Sequence, residues 1–240
     1  MNALFTLLAI IFPFFIIGFA IRIIFAAEVK ACFERDPAAR NIIEVLFLYP
    51  GLQAIIMHRI ANFIYRLHIP VVPRWLSMAN RFTTGIEIHP AAKIGRGLFI
   101  DHGMGVVIGE TAVIGDNVTI FQGVTLGGTG KDRGKRHPTL GNNVVIGAGA
   151  KVLGNITIGN NSMVGANAVV VKDVPEHSTV VGVPGRITRT KDRTFPGFKL
   201  DHTHLPDPLA ERLEALQREI DTIESHLKEH RNKQANPPVQ

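Results

Sequence analysis

The 240-residue chain carries a net charge of +6, 46% apolar residues and 23 glycines, a balance that excludes a disordered polymer and leaves room for one good core with a smaller second unit. Its basic residues are dispersed and lack the interleaved aromatics of a nucleic-acid surface, so the charge points instead to local basic loops that meet an anionic cofactor. The single cysteine, Cys32, excludes an internal disulfide and fits a reducing compartment.

Residues 1–21 contain no charge and are long enough to cross a bilayer as a helix, with a kink at Pro13 that such helices tolerate. No positive residue precedes the apolar run, which argues against a cleaved signal peptide. Residues 1–27 are therefore expected to form a membrane anchor; the alternative is a helix buried in an oligomer core. Arg22, Lys30, Arg35 and Arg40 follow, so the positive-inside tendency leaves the rest of the chain in the cytoplasm, tethered to the inner face of the membrane. Residues 28–84 read as a helical region. Apolar positions from Leu52 to Leu67 recur at helical spacing, Pro70 and Pro73 end that helix, and a shorter one is expected from Trp75 to about Phe82.

The pattern then changes. Ile88, Ile94, Ile100 and Val106 are spaced by six, and Ile108, Ile114, Ile120 and Leu126 repeat that spacing in a register shifted by two. Leu140, Ile146, Val152, Ile158, Val164 and Val170 form a third set. Period six belongs to hexapeptide β-helices, in which each unit is one flat side of a triangular coil with an inward aliphatic and a turn. Residues 85–186 are thus expected to form a parallel β-helix, making the chain mainly β. Two breaks interrupt it, one directly after DHGMG and the other at GGTGKDRGKRHPT. Since a β-helix hides its backbone in the ladder, a pocket is expected where residues leave the coil.

Residues 187–207 read as a linker, and Asp207-Pro208 as an N-cap with proline at the first helical position. Leu209, Leu213, Leu216, Ile220, Ile223 and Leu227 form a heptad seam over 208–230. A short coiled coil and a helix packed on its own domain both remain open. Residues 231–240 read as a disordered tail.

The segments IHPAAKIG, GETAVIG, VTLGGTGK, RHP and IGAGAKVLGN together resemble the serine O-acetyltransferases, densely from Asp36 to about Arg186. The resemblance implies transfer of acetyl from acetyl-CoA to the hydroxyl of L-serine, giving O-acetyl-L-serine and CoA, the first step of cysteine synthesis. It also implies a left-handed β-helix, homotrimers that commonly pair, and active sites in clefts between neighbouring β-helices. Acetyl-CoA is the expected co-substrate, and no metal is expected.

A serine hydroxyl needs a base, and neutral His102 can take its proton and return one to the leaving thiolate. The family pattern puts a carboxylate behind that base just before IHP, which here is Glu87; many members have aspartate there. By the same match, Asp36 and Asp101 would meet serine's ammonium, while Arg136 and His137 meet its carboxylate. Gly128, Thr129 and Lys131 in the inserted segment, with Ala148 and Ala166 at later turns, would accommodate acetyl-CoA. A related acetyltransferase acting on a sugar or antibiotic hydroxyl is the main alternative. A zinc enzyme using His89, His102 and His137 would need those ligands to converge, and a non-catalytic scaffold would need none of them. The carboxy terminus lacks the isoleucine through which family members often bind O-acetylserine sulfhydrylase, so that complex is not expected.

Overall fold

The computed structural model describes residues 3–130, 133–188 and 208–235. The chain divides into one unit of residues 1–204 and a second of residues 205–240.

Five helices come first: α1 (Ala3–Ile24), α2 (Ala26–Arg35), α3 (Ile42–Leu48), α4 (Pro50–Arg66) and α5 (Val72–Thr84). In α1, Gly18 lets the helix close on Phe47, whose ring would lie 3.3 Å from a Cβ there. Phe12, Ile16, Phe19 and Ile23 of the same helix remain exposed. Among the described residues no single helix is long and apolar enough to cross a membrane, although α3 and α4, bent by 55°, pass that test together. α2 stops at Asp36, which caps its C-terminus. Asn41 opens α3 by accepting the Ile43 N–H at 2.9 Å, and Pro50 sits in the first turn of α4.

α5 starts three residues before the expected Trp75. Val71 adopts φ +66 and ψ −51, and the Val72 N–H donates to the Pro70 carbonyl at 2.7 Å. That γ-turn reverses the chain and delivers Val72-Pro73 into a first helical turn, where proline loses nothing. Gly85 ends the helix at φ +74.

The strands form three sheets. The first stacks β1 (Glu87–Ile88), β4 (Val107–Ile108), β7 (Thr125–Gly127), β10 (Lys151–Leu153) and β13 (Val169–Val170). The second stacks β2 (Lys93–Ile94), β5 (Val113–Ile114), β8 (Thr139–Leu140) and β11 (Thr157–Ile158). The third stacks β3 (Phe99–Ile100), β6 (Thr119–Ile120), β9 (Val145–Ile146), β12 (Met163–Val164) and β14 (Thr179–Val181), and β15 (Arg186–Thr188) closes it in antiparallel fashion. Every other pairing is parallel, so the chain visits the three sheets in turn and climbs one strand per circuit, as a β-helix does.

Register explains the breaks. Val107 pairs with Thr125, and Lys151 with Val169, eighteen residues on in each case. Glu87 pairs with Val107, twenty on, and Thr125 with Lys151, twenty-six on. The two extra residues lie between β3 and β4, and the eight between β7 and β8. Both extrusions fall where the sequence pattern slips.

The inward aliphatics make one continuous core: Ile88, Ile108, Leu126 and Val152 from the first sheet meet Ile114, Leu140 and Ile158 from the second and Ile120, Ile146 and Val164 from the third. Burying each such side chain contributes roughly 1.5–3 kcal/mol. Where corners turn sharply the backbone is left-handed, and Asn117, Asn143, Asn161 and Asn167 adopt φ of 56–57°; asparagine tolerates that better than most residues because its amide bonds locally.

The helices cover the first coil by donating to its carbonyls. Ser77 bonds Ile88 O at 2.6 Å, Asn62 bonds Pro90 O at 2.6 Å, Arg59 bonds Ile94 O at 2.6 Å and Gly95 O at 2.5 Å, and Arg35 bonds Gly97 O at 3.2 Å. In the second unit, α6 (Pro208–Ala235) is one uninterrupted helix whose Leu213, Leu216, Ile220, Ile223 and Leu227 are exposed.

Candidate active site

The first extrusion, residues 101–106, occupies the corner between the third and first sheets. His102 stands at φ +56 within it, with its side chain exposed rather than turned into the aliphatic core. The flanking glycines are required. At Gly103 (φ +77) a Cβ would come within 2.5 Å of Ile86, and Gly105 (φ +76) lies over Gly123 of the next coil.

Asp101 lies half-buried beside it. Burial pushes its carboxyl above the usual range, His102 opposes that, and the Asp36 carboxylate reinforces it. Asp36 thus belongs to the same corner although it arrives from α2. Its Oδ1 accepts the Ala38 N–H at 2.8 Å and its Oδ2 accepts the Tyr49 hydroxyl at 2.6 Å. Cys32, underneath, is pushed up to about 12 by burial and by the Asp36 carboxylate, so it remains a thiol and is no nucleophile.

Glu87 opens β1 at this corner, and its backbone N–H donates to Val106 O at 2.9 Å. Its carboxylate pairs with Arg81 of α5 at 3.0 Å, and no hydrogen bond joins it to His102. Ala148 and Ala166 sit on the same corner two and three coils further along, stacked through an Asn167 N–H bond to Ala148 O at 2.8 Å. At about 4.8 Å per coil, they form a track of small side chains leading away from His102.

Arg136 and His137 lie on a different corner, between the first and second sheets, at the end of the eight-residue extrusion. Arg136 Nη2 pairs with Glu110 Oε2 at 2.5 Å. That contact holds the Glu110 carboxyl below the usual range. Thr111 organises the group: its Oγ1 accepts the Arg136 and His137 backbone N–H at 3.0 and 3.1 Å, and its own N–H donates to His137 Nδ1 at 3.2 Å. With Nδ1 accepting, the proton of neutral His137 lies on Nε2. Burial, then Arg136, lowers its pKa and keeps the ring neutral. Nε2 faces Gly109 and Gly128; a Cβ at Gly109 would fall 2.1 Å from it. Gly128 and Thr129 begin the extrusion here, both exposed, while Lys131 lies outside the described residues.

The expected site residues therefore gather as two groups: Asp36, Glu87, Asp101, His102, Ala148 and Ala166 on one corner, and Gly128, Thr129, Arg136 and His137 on the next. Among the described residues no hydrogen bond or ion pair joins the two groups. His89 belongs to the second group, with its pKa lowered by burial and then Arg74, and it senses Glu110, His137 and Arg136. Since His102 stands apart, the three histidines do not converge as zinc ligands. Among the described residues no three His, Cys, Asp or Glu side chains gather as a metal site. Sequence reasoning passed over Glu110, Thr111 and Tyr49. The first two sit in the GETAVIG segment, one coil below RHP once the extrusion is counted; for Tyr49 the sequence offered no signal.

This architecture is that of a hexapeptide-repeat transferase, and residues 137–172 match the bacterial transferase hexapeptide family (six repeats). Serine acetyltransferase of Synechococcus elongatus is 57% identical over 203 residues, 84% of this chain and 82% of the relative. That of Staphylococcus aureus is 58% identical over 194 residues, covering 81% and 91%. Among solved structures, Neisseria gonorrhoeae serine acetyltransferase superposes with a TM-score of 0.68 at 46% identity, over 70% of this chain and 67% of that one. The soybean enzyme complexed with serine gives 0.68 at 46%, over 70% and 69%. The chain belongs to the serine acetyltransferase family.

Proposed function

We propose that the chain transfers acetyl from acetyl-CoA to the hydroxyl of L-serine at a site assembled from two copies, the His102 corner of one meeting the Arg136 corner of its neighbour. The observation that carries this is the separation of complementary halves within one chain. One half holds three carboxylates and a base; the other holds a cation, paired with Glu110, and a neutral donor. Serine needs all of them at once: an anion for its ammonium, a cation for its carboxylate and a base for its hydroxyl. Association of identical chains about a three-fold axis would bring adjacent corners together, and a left-handed coil is the form in which this repeat is expected to do so.

In this reading the ammonium sits against Asp36 and Asp101 and the carboxylate against Arg136, which shares its guanidinium with Glu110. His102 removes the hydroxyl proton as the oxygen attacks the thioester carbonyl, the C–S bond breaks, and the proton passes to the thiolate of CoA. Glu87 steadies the imidazolium once its carboxylate turns from Arg81. Gly128, Thr129 and Lys131 meet acetyl-CoA, and the Ala148–Ala166 track lets the pantetheine arm lie close to the backbone. The chain works in the cytoplasm. α1 contacts the inner face of the membrane through its apolar surface, and release by high-salt washing would count against that contact.

A thiol-release assay with acetyl-CoA and a panel of hydroxyl acceptors tests the activity. Preference for L-serine is expected; preference for galactosides or chloramphenicol would displace the assignment.

A further inference from the structure

We propose that Tyr49 is a positioning residue for substrate, acting through Asp36. The inference rests on the serine site described above and adds a residue to it. Asp36 sits at the C-terminal end of α2, where the helix presents carbonyl oxygens and its dipole disfavours a carboxylate. It also lies close enough to the Asp101 carboxyl for its charge to raise that group's pKa, after burial. Two acids left to themselves there would swing apart into solvent. What holds Asp36 in place is a pair of donors, the Ala38 N–H at 2.8 Å on one oxygen and the Tyr49 hydroxyl at 2.6 Å on the other.

The second donor crosses between elements. Tyr49 is the residue at which α3 ends and α4 begins, in extended backbone with φ −87 and ψ 105, and it makes no side-chain cap for either helix. Its side chain instead spans back to the end of α2. Burial, then the bond to Asp36, raises the phenol pKa, so it remains a donor throughout the neutral range. A hydroxyl that neither caps its helix nor fills a core, and that aims one carboxylate at its neighbour, sets the spacing of the two acids that would straddle an ammonium. Tyr49 itself need not touch substrate.

Tyr49→Phe removes the donor and leaves the ring. The expected result is a KM for L-serine raised about ten-fold, the scale of one hydrogen bond to a charged group, with kcat and the KM for acetyl-CoA within about two-fold of wild type. In an Asp36→Asn background the same change should add nothing, because the residue it works through has lost its charge. An unchanged serine KM, an equal rise for acetyl-CoA, or effects that add across the two substitutions would each overturn the assignment. Wild-type protein that fails to acetylate serine would instead overturn the reading beneath it, and the inference would fall with it.

Discussion

Mixing two inactive chains gives the sharpest test of the two-corner site. His102→Ala disables one half and Arg136→Ala the other. If each site draws His102 from one chain and Arg136 from its neighbour, every boundary in a mixed trimer samples an ordered pair of chains. Of the four pairings formed by equal amounts, one unites an intact His102 with an intact Arg136, so refolding the two together should recover about one quarter of wild-type activity. The structure supplies its own control. Asp36 and His102 share a corner through their common influence on Asp101, so a mixture of Asp36→Asn with His102→Ala should recover no more activity than the Asp36→Asn chain shows on its own. Activity is read by thiol release, and mixing by co-purification of chains carrying different tags. Co-purified hybrids with no recovered activity, or equal recovery in the control, would refute the reasoning.

Four further outcomes follow from the geometry. His102→Ala alone should lower kcat by about 10²–10⁴-fold, the usual worth of a general base, while gel filtration still gives the wild-type assembly. Gly115→Ala puts a Cβ 2.7 Å from the Gly141 carbonyl of the next coil, whereas among the described residues nothing lies within 4 Å of one at Gly134; the first should lose about 1–3 kcal/mol in urea titrations and the second almost none. Val71→Gly relieves a β-branched residue at φ +66 and should raise stability by about 1 kcal/mol, net of glycine's entropy in the unfolded chain; a lower melting temperature would contradict that. His58 is the fourth. Burial, then Arg59, lowers its pKa from 6.5 to about 4, and its Nδ1 has no partner to receive a second proton's bond. The folded pKa lies below the unfolded one, so the unfolded chain binds the extra proton first and stability falls as pH drops from about 6.5 towards 4. The loss should reach about 3 kcal/mol at pH 4, and a urea titration series with His58→Leu should lack that component.

How much of this was legible in the sequence depended on whether neighbours are fixed by chain distance or by stacking. Ile108, Ile120 and Leu126 announce the coil because every inward residue repeats the same environment, and the slip after DHGMG is visible because it breaks that repeat. Arg136 and His102 stand out because the chemistry asks for their side chains. The partner of Arg136 was harder to find. Glu110 lies twenty-six residues before it and becomes its neighbour only when the eight-residue extrusion is added to one full coil. Glu87 was expected behind His102, yet its ion pair is with Arg81, a choice made by where α5 ends. The start of α5 was missed for a related reason: proline-flanked Val71 reads as a break, and only its left-handed backbone lets the helix resume at once. Tyr49 reaches Asp36 across a helix junction that periodicity does not describe.

A ladder of short parallel strands has two ends, and each is a template onto which another chain could add. Here both ends are blunted. Helices fill the lower edge with side-chain donors from Arg35, Arg59, Asn62 and Ser77, and the hairpin of β14 and β15 turns the last strand of one face back on itself. End-to-end growth into fibres is therefore discouraged by construction.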